Sequence, residues 1–245
     1  MKIALAQLDS EIGDILTNTA KHLEMIRIAA DHQVNLIVFP ELSLTSYAPE
    51  LAQELAMTHK DPGLNVFKEV SQQHNITIGL GLPVRTEGLP VIGLLLFEPD
   101  GALNLYGKTH LHEDEFPFFS PGENYTGLVG GIEGLTLSVC YEISVEEHIA
   151  KAKGRGAQLY LASVAKTASG VAGAHDHMQQ MAIDNQMTLL MANCVGSCEG
   201  QTAGGRSAIW NSEGAHLAEL PAEQEGLLIY EVETGMLESV IFDES

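Results

Sequence analysis

Asn35-Leu36-Ile37-Val38-Phe39-Pro40-Glu41-Leu42-Ser43 is the stretch on which the fold turns. From Leu36 to Phe39 the run is apolar without a break, and a run so short marks a strand covered on both faces. Upstream, Thr17 to Gln33 carries Ala20, Leu23, Ile26, Ile28 and Ala30 at roughly helical spacing, which predicts a helix with Asn18 or Thr19 as its cap. Before that helix, Lys2 to Leu8 alternates as a buried strand does. Strand, helix, strand is the opening of an α/β protein.

Downstream the alternation continues. Helices are predicted near Asn65 to His74, Val145 to Lys153 and Ala174 to Met187. Strands are predicted at Ile76 to Leu82, Val91 to Phe97, Leu135 to Cys140, Gln158 to Ala162 and Thr188 to Ala192. From Gly205 on, short strands separated by turns follow. This order suggests a layered α/β sandwich with more than one sheet. No Pro/Gly/Ser-rich linker or repeat divides it, so residues 1–245 read as a single domain.

The composition narrows the function. In 245 residues, 33 acidic side chains stand against 12 basic ones, for a net charge of -21. Such a polyanion repels phosphate backbones and anionic lipid, which argues against nucleic acid and membrane partners. After Arg206 no Lys or Arg occurs, while Glu213, Glu219, Glu223, Glu225, Glu231, Glu233, Glu238, Asp243 and Glu244 follow; this reads as a solvating surface. Cys140, Cys194 and Cys198 are too few and too odd in number for a disulfide framework. The first residues lack a signal-peptide pattern, and nothing approaches the roughly 18 apolar residues of a membrane span. A cytoplasmic, reduced setting is expected, where a cysteine is free to work as a thiol.

Three places put a reactive group at the end of an apolar run. In Phe39-Pro40-Glu41-Leu42-Ser43, a carboxylate directly after a buried strand is poorly hydrated, which raises its pKa towards that of a general base. In Leu105-Tyr106-Gly107-Lys108-Thr109-His110-Leu111, a lone lysine offers a fixed positive charge for an oxyanion. In Leu137-Ser138-Val139-Cys140-Tyr141-Glu142, a cysteine becomes a nucleophile if a cation and a base attend it. Each has an ordinary reading as well: loop acid, surface lysine, core thiol.

Taken together, Glu41, Lys108 and Cys140 in these settings resemble the Glu-Lys-Cys triad of the nitrilase superfamily of carbon-nitrogen hydrolases. The likeness runs along almost the whole chain. Ala4-Leu5-Ala6-Gln7 resembles the family's first strand, and Ser120-Pro121-Gly122 its Pro-Gly turn. Ala182-Ile183-Asp184-Asn185-Gln186 is similar to its Ala-x-Glu/Asp-Asn helix. Ala192-Asn193-Cys194-Val195-Gly196 and Gly204-Gly205-Arg206-Ser207 are similar to the strand and turn beyond. The resemblance implies a four-layer αββα sandwich and a homodimer or larger homo-oligomer. It also implies a second glutamate, best matched by Glu115, with Glu113 the weaker match. Glu142 stands at an acidic position more often Asp and reads as an orienting group, while the backbone N–H of Tyr141 would help hold the oxyanion.

The activity so implied is hydrolysis of a small non-peptide amide to a carboxylic acid and ammonia or amine through a thioester on Cys140. It calls for no metal and no organic cofactor. The chain departs from the family pattern in two places. Ser144 replaces an arginine common after the nucleophile, and Ser163-Val164-Ala165-Lys166-Thr167-Ala168 lacks the tryptophan many amidases carry there. Tyr141 favours an amidase over a true nitrilase, which more often has Trp. Alternatives sharing the triad are N-carbamoyl hydrolysis and acyl transfer to an amine; a catalytically silent binding module is the alternative of another class. His110 and His112 with Glu113 and Asp114, and His175-Asp176-His177, read as structural or solvated groups rather than metal ligands. Cys194 and Cys198 read as one buried and one exposed thiol without redox spacing.

Overall fold

A computed structural model describes residues 1–123, 129–198 and 200–242; Asp243 and Glu244 of the acidic tail lie outside these. One mixed sheet is built from β1 (Lys2–Gln7), β2 (Leu36–Val38), β3 (Thr77–Val84), β4 (Val91–Phe97), β5 (Leu103–Gly107), β13 (Gly226–Glu231) and β14 (Leu237–Ile241). Its order is β14-β13-β1-β2-β3-β4-β5. A second is built from β6 (Leu135–Val139), β7 (Leu159–Ser163), β8 (Thr188–Ala192), β11 (Ala208–Trp210) and β12 (His216–Glu219), in the order β12-β11-β8-β7-β6. A short hairpin, β9 (Ser197–Cys198) and β10 (Gln201–Thr202), lies between β8 and β11 in the chain. The helices are α1 (Ile15–Asp31), α2 (Ala52–Leu55), α3 (Asn65–His74), α4 (Glu146–Gly154) and α5 (Val171–Asn185).

Side-chain alternation sorts the strands into four layers. In β1, Ile3 and Leu5 face the other sheet, where they join Leu137, Val139, Leu161 and Ile209 in one buried cluster. Ala4 and Ala6 face the opposite way, against Met25, Ile26 and Ala29 of α1 and near Phe67 of α3. The second sheet does the same: Tyr160, Ala162, Leu189 and Met191 pack on Ile149 of α4 and on Ala174, Met178 and Ala182 of α5. Helix, sheet, sheet, helix is thus the αββα sandwich, and the two-residue period of each strand produces it. Among the described residues no helix is long and apolar enough to cross a membrane.

The first helix begins earlier than its sequence cap suggests. Asp14, not Asn18 or Thr19, is the N-cap, accepting a hydrogen bond from the Thr17 N–H at 3.1 Å. That start turns Asn18 onto the buried face, where its amide donates to the carbonyls of Glu11 and Leu44. Asn18 therefore ties the helix to the loop that follows β2. Elsewhere the expected elements shift by a few residues; β5 lies at a sheet edge, with Leu103 and Asn104 half-buried, Leu105 exposed, and Tyr106 and Gly107 buried just before Lys108.

Strand direction places the loops that matter. β1, β2 and β3 run parallel, and β4 and β5 each reverse, so the chain leaves β2 and β5 at the same end of the sheet. In the second sheet β6, β7 and β8 are parallel, with Val139 opposite Ser163 and Ser163 opposite Ala192. The carboxyl ends of parallel strands are where α/β sheets build sites.

The loop after β2 packs directly on β3. Phe39 N–H donates to Gly79 O and Leu44 N–H to Gly81 O, both at 2.9 Å. A Cβ at Gly81 would lie 2.3 Å from Pro40 O and 2.7 Å from Leu42 N. Gly81→Ala therefore has to push the Glu41 loop away. We expect about 1–3 kcal/mol of destabilisation from the overpacking, read by urea unfolding against a control Gly88→Ala, whose Cβ meets nothing within 4 Å.

Candidate active site

Lys108, Glu41 and Glu115 form one buried cluster at the end of the first sheet. The Lys108 ammonium donates to Glu41 Oε1 at 2.8 Å and to Glu115 Oε1 at 2.6 Å, and all three side chains are sealed from solvent. Each arrives from a different segment: Glu41 after β2, Lys108 after β5, Glu115 from the turn beyond. Glu115 is held further by the Tyr47 hydroxyl at 3.0 Å and by the His112 N–H at 2.8 Å. Glu113 is exposed, so of the two sequence candidates Glu115 is the one that reaches the lysine.

Cys140 sits against this cluster from the second sheet. It begins a 3-10 turn, Cys140–Ser144, directly after β6, and its φ is +42°. A non-glycine residue in that region is strained by about 1–3 kcal/mol, and such strain clusters at functional sites. The Cys140 side chain packs against the buried cluster between the sheets, and Glu41 is among the groups that act on its thiol. Glu41 Oε2 is buried and takes no N–H or O–H hydrogen bond among the described residues. That oxygen is left with capacity to accept a proton.

Electrostatics follow from burial and this crowding. Desolvation pushes Glu41 up from an ordinary 4.5 to about 7, against the pull of Lys108 and with the push of Glu115. Burial works against the charge of Lys108, yet Glu41, Cys140 and Glu115 outweigh it and hold the ammonium above the usual lysine range. Burial, then Glu41, pushes the Cys140 thiol up to about 12, so the resting sulfur carries its proton. A near-neutral carboxyl beside a protonated thiol and a permanent cation is a set that can move a proton and then hold an anion.

Glu142 binds the two sheets' loops together. It is fully buried; Oε2 accepts from Val139 N–H at 2.8 Å and Tyr106 hydroxyl at 2.7 Å. Oε1 accepts from Thr109 N–H at 2.8 Å and from the Thr109 hydroxyl at 2.9 Å. One carboxylate thus fixes the residue before Cys140 to the residue after Lys108. Tyr106 continues to His148, and His148 to Tyr160. Tyr141 is half-buried, its ring edge-on to His112.

Two groups near Cys140 had no assigned part in the reading of the sequence. Tyr47 closes over Glu115 and borders a cleft of about 560 Å³ that is also lined by Ile12, Pro49, Leu51 and Phe118. Lys166, in the stretch noted only for its missing tryptophan, is held above the usual lysine range, chiefly by Cys140. The signal that could have found Lys166 is the one that found Lys108: a lone lysine just past an apolar strand.

Away from this cluster the other candidates are quieter. His112 pairs with the exposed Asp114. Among the described residues His175, His216 and Glu219 have ligand atoms close enough to share a metal ion. Arg206 already occupies Glu219 Oε2 at 3.0 Å, and His175 packs edge-on against Trp210, which fits an ion-pair cluster. Cys198 is the buried one of the other two thiols; Cys194 is half-buried rather than exposed.

Residues 2–242 match the family model described as carbon-nitrogen hydrolase. The chain belongs to that family, and its likeness within it is to amidases. The NitN amidase of Nesterenkonia sp. AN1 superposes with a TM-score of 0.84 at 26% identity, covering 96% of this chain and 93% of that one. A glutamate-to-glutamine mutant of that amidase shows Michael addition of acrylamide at its active-site cysteine. An (R)-stereoselective amidase from Pseudomonas sp is 28% identical over 204 residues, 80% of this chain and 72% of that protein. The 2-oxoglutaramate amidase of Bacillus subtilis is 27% identical over 94% of this chain and 90% of its own. Glutamine-dependent NAD(+) synthetases also match, the chain spanning 39% of the one from Thermotoga maritima.

Proposed function

We propose that Glu41, Lys108 and Cys140 hydrolyse a small non-peptide amide to a carboxylic acid and ammonia or amine. The observation that carries this is the sealed Glu41–Lys108–Glu115 cluster laid against a cysteine in a strained turn. The kinship with amidases, one of them modified by an amide at its active-site cysteine, supports the same chemistry.

The steps follow from the parts. Glu41 takes the Cys140 proton as the sulfur attacks the carbonyl carbon. The carbonyl oxygen becomes an oxyanion held by Lys108 and the Tyr141 N–H. Collapse breaks the C–N bond, and the protonated Glu41 returns its proton to the leaving nitrogen. Water, deprotonated by a carboxylate of the Glu41–Glu115 pair, then cleaves the thioester. Glu142 orients both loops and touches no reacting atom. The chemistry requires neither metal nor organic cofactor. The unbroken sequence from 1 to 245 is read as one domain working in the cytoplasm, and the resemblance to the family implies a homodimer or larger.

An ammonia-release screen over aliphatic amides, ω-amides and N-carbamoyl compounds tests the reading; turnover of none of them would sink it, and product analysis with added amine reports acyl transfer. The pH profile is a second test. Glu41 must be unprotonated to act, and burial sets it at about 7. We expect kcat/KM to fall about tenfold per pH unit below that value and to level above it. A rise centred near the ordinary glutamate value of 4.5 would remove Glu41 from the base role.

A further inference from the structure

A second cluster of chemistry-bearing side chains lies where the edge of the second sheet meets its helix. His216 and Glu219 come from β12 and His175 from α5. Residues three apart on a regular strand point to opposite faces. Here they do not, because the pairing of β11 with β12 slips by one residue. Ala208 lies opposite Glu219 and Trp210 opposite His216, which leaves Leu217 as the extra residue of a bulge. Both side chains therefore share the face on which Ala208 and Trp210 pack against α5. His177, two residues from His175 in the sequence, turns elsewhere and meets Ile143 O at 2.8 Å.

Three donor atoms converge there. His175 Nδ1 lies 3.6 Å from Glu219 Oε2, and His216 Nε2 lies 3.4 Å from the same oxygen. One donor atom from each residue falls within 4.8 Å of the other two. Ligands bound at about 2.0–2.1 Å to a tetrahedral zinc ion stand about 3.3 Å apart, and both histidine–carboxylate separations are close to that. His175 is also oriented for the task. Its Nε2 lies 2.9 Å from Arg206 O, a carbonyl that can only accept, so the neutral ring keeps its proton there and turns the Nδ1 lone pair towards the carboxylate. A backbone carbonyl on the far nitrogen is what fixes metal-binding histidines. A lone pair facing a carboxylate oxygen is repulsive until a cation stands by them. In the metal-free chain Arg206 supplies that charge, its guanidinium 3.0 Å from Oε2, but its side chain is 33% exposed and can swing into solvent.

We propose that His175, His216 and Glu219 form a binding site for a divalent transition-metal ion of the zinc class, which takes the place of the Arg206 guanidinium beside Glu219. Two imidazole nitrogens and one carboxylate oxygen suit zinc or nickel; calcium and magnesium call for oxygen ligands throughout. Water fills the remaining position. The amide chemistry does not use this ion, since Glu41, Lys108 and Glu115 are gathered at the end of the other sheet. Its effect falls on the fold. The ion joins the edge strand β12 to α5 and, through the His175 contact with Arg206 O, to the Gly204-Gly205-Arg206-Ser207 turn. Ser207 in that turn accepts from the Asn193 N–H at 2.9 Å, so the bound ion braces the end of β8 as well.

Trp210 reports on the site directly. It is the single tryptophan of the chain, with its ring centroid 4.9 Å from that of His175 and 5.6 Å from that of His216. At 1% exposure it is out of reach of collisions with dissolved ions. Ni²⁺ titrated into the chelator-treated full chain at neutral pH should quench its fluorescence saturably. Zn²⁺, with a filled d shell, should restore the fluorescence by displacing the nickel. His216→Gln and Glu219→Gln should each weaken the nickel midpoint by about tenfold or more. Both positions are partly exposed, and circular dichroism checks that each variant folds. Arg206→Asn should tighten the midpoint, asparagine being at ease with the φ of +56° at that position. Quenching that does not saturate, a midpoint unmoved in both ligand variants, or an Arg206→Asn midpoint no tighter than the native one overturns the proposal. None of these readings depends on amide turnover.

Discussion

Cys140→Ala abolishes amide turnover, with a loss of about 10⁴-fold or more expected from deletion of a nucleophile whose partners act as a unit. The size follows from the geometry. Glu41 has no other acid within the cluster to deprotonate for attack, and Lys108 with no tetrahedral intermediate has no oxyanion to hold. Cys194 and Cys198 cannot substitute, because the first stands beside Asn193 and the second is buried against Ala165 O. The variant keeps the strained turn, since alanine meets the same φ of +42°. Unfolding by urea should therefore change little while ammonia release disappears. Turnover that survived would show that another group attacks the amide, and the mechanism would be wrong at its first step.

Lys108→Met produces the other large effect, and it appears in stability as well as in rate. Turnover should drop by about 10³-fold, as when a principal oxyanion donor is lost from a dry site. The fold should lose about 3–5 kcal/mol, because two buried carboxylates are left facing each other without their cation. The pH dependence distinguishes this from simple loss of packing. Without Lys108, Glu41 is raised further above the value it has in the unfolded chain, so the folded variant binds that proton more tightly. Its stability is then retained at low pH and lost as pH rises through the raised value. The gap between the native protein and the variant should widen as pH rises above about 7, where native Glu41 is ionised and the variant's is not, in urea titrations. A gap that is flat with pH would mean that Lys108 matters for its volume and not for its charge.

Much of the architecture was readable from periodicity. Ile3 and Leu5 against Ala4 and Ala6, and the unbroken run Leu36 to Phe39, specify strands buried on both faces, and helices must then lie outside them. The strand-end positions of Glu41, Lys108 and Cys140 were visible in the same way, since each reactive group ends an apolar run. Less was readable where several like residues compete. Glu113 and Glu115 lie two apart, and only the turn that brings Glu115 under Tyr47 and beside Lys108 decides between them. Asn18 looked like a cap and is a buried tie, because Asp14 starts the helix one turn earlier.

The order of strands and helices, and hence the layers, is written in patterns two to four residues long, because pleat and helix repeat over those distances. Side-chain chemistry at the strand ends is local too, and the kinship with carbon-nitrogen hydrolases rests on it. Which charges share a cavity is a different matter. Glu41 and Lys108 are separated by 67 residues in the chain yet lie 2.8 Å apart, and Glu115 reaches the same ammonium at 2.6 Å. That cluster depends on strand order within one sheet, and bringing Cys140 to it depends on how two sheets pack face to face. That packing also excludes the water that would otherwise screen the charges, so it is the tertiary structure that raises Glu41 to about 7, where an ordinary loop acid could serve as the proposed base.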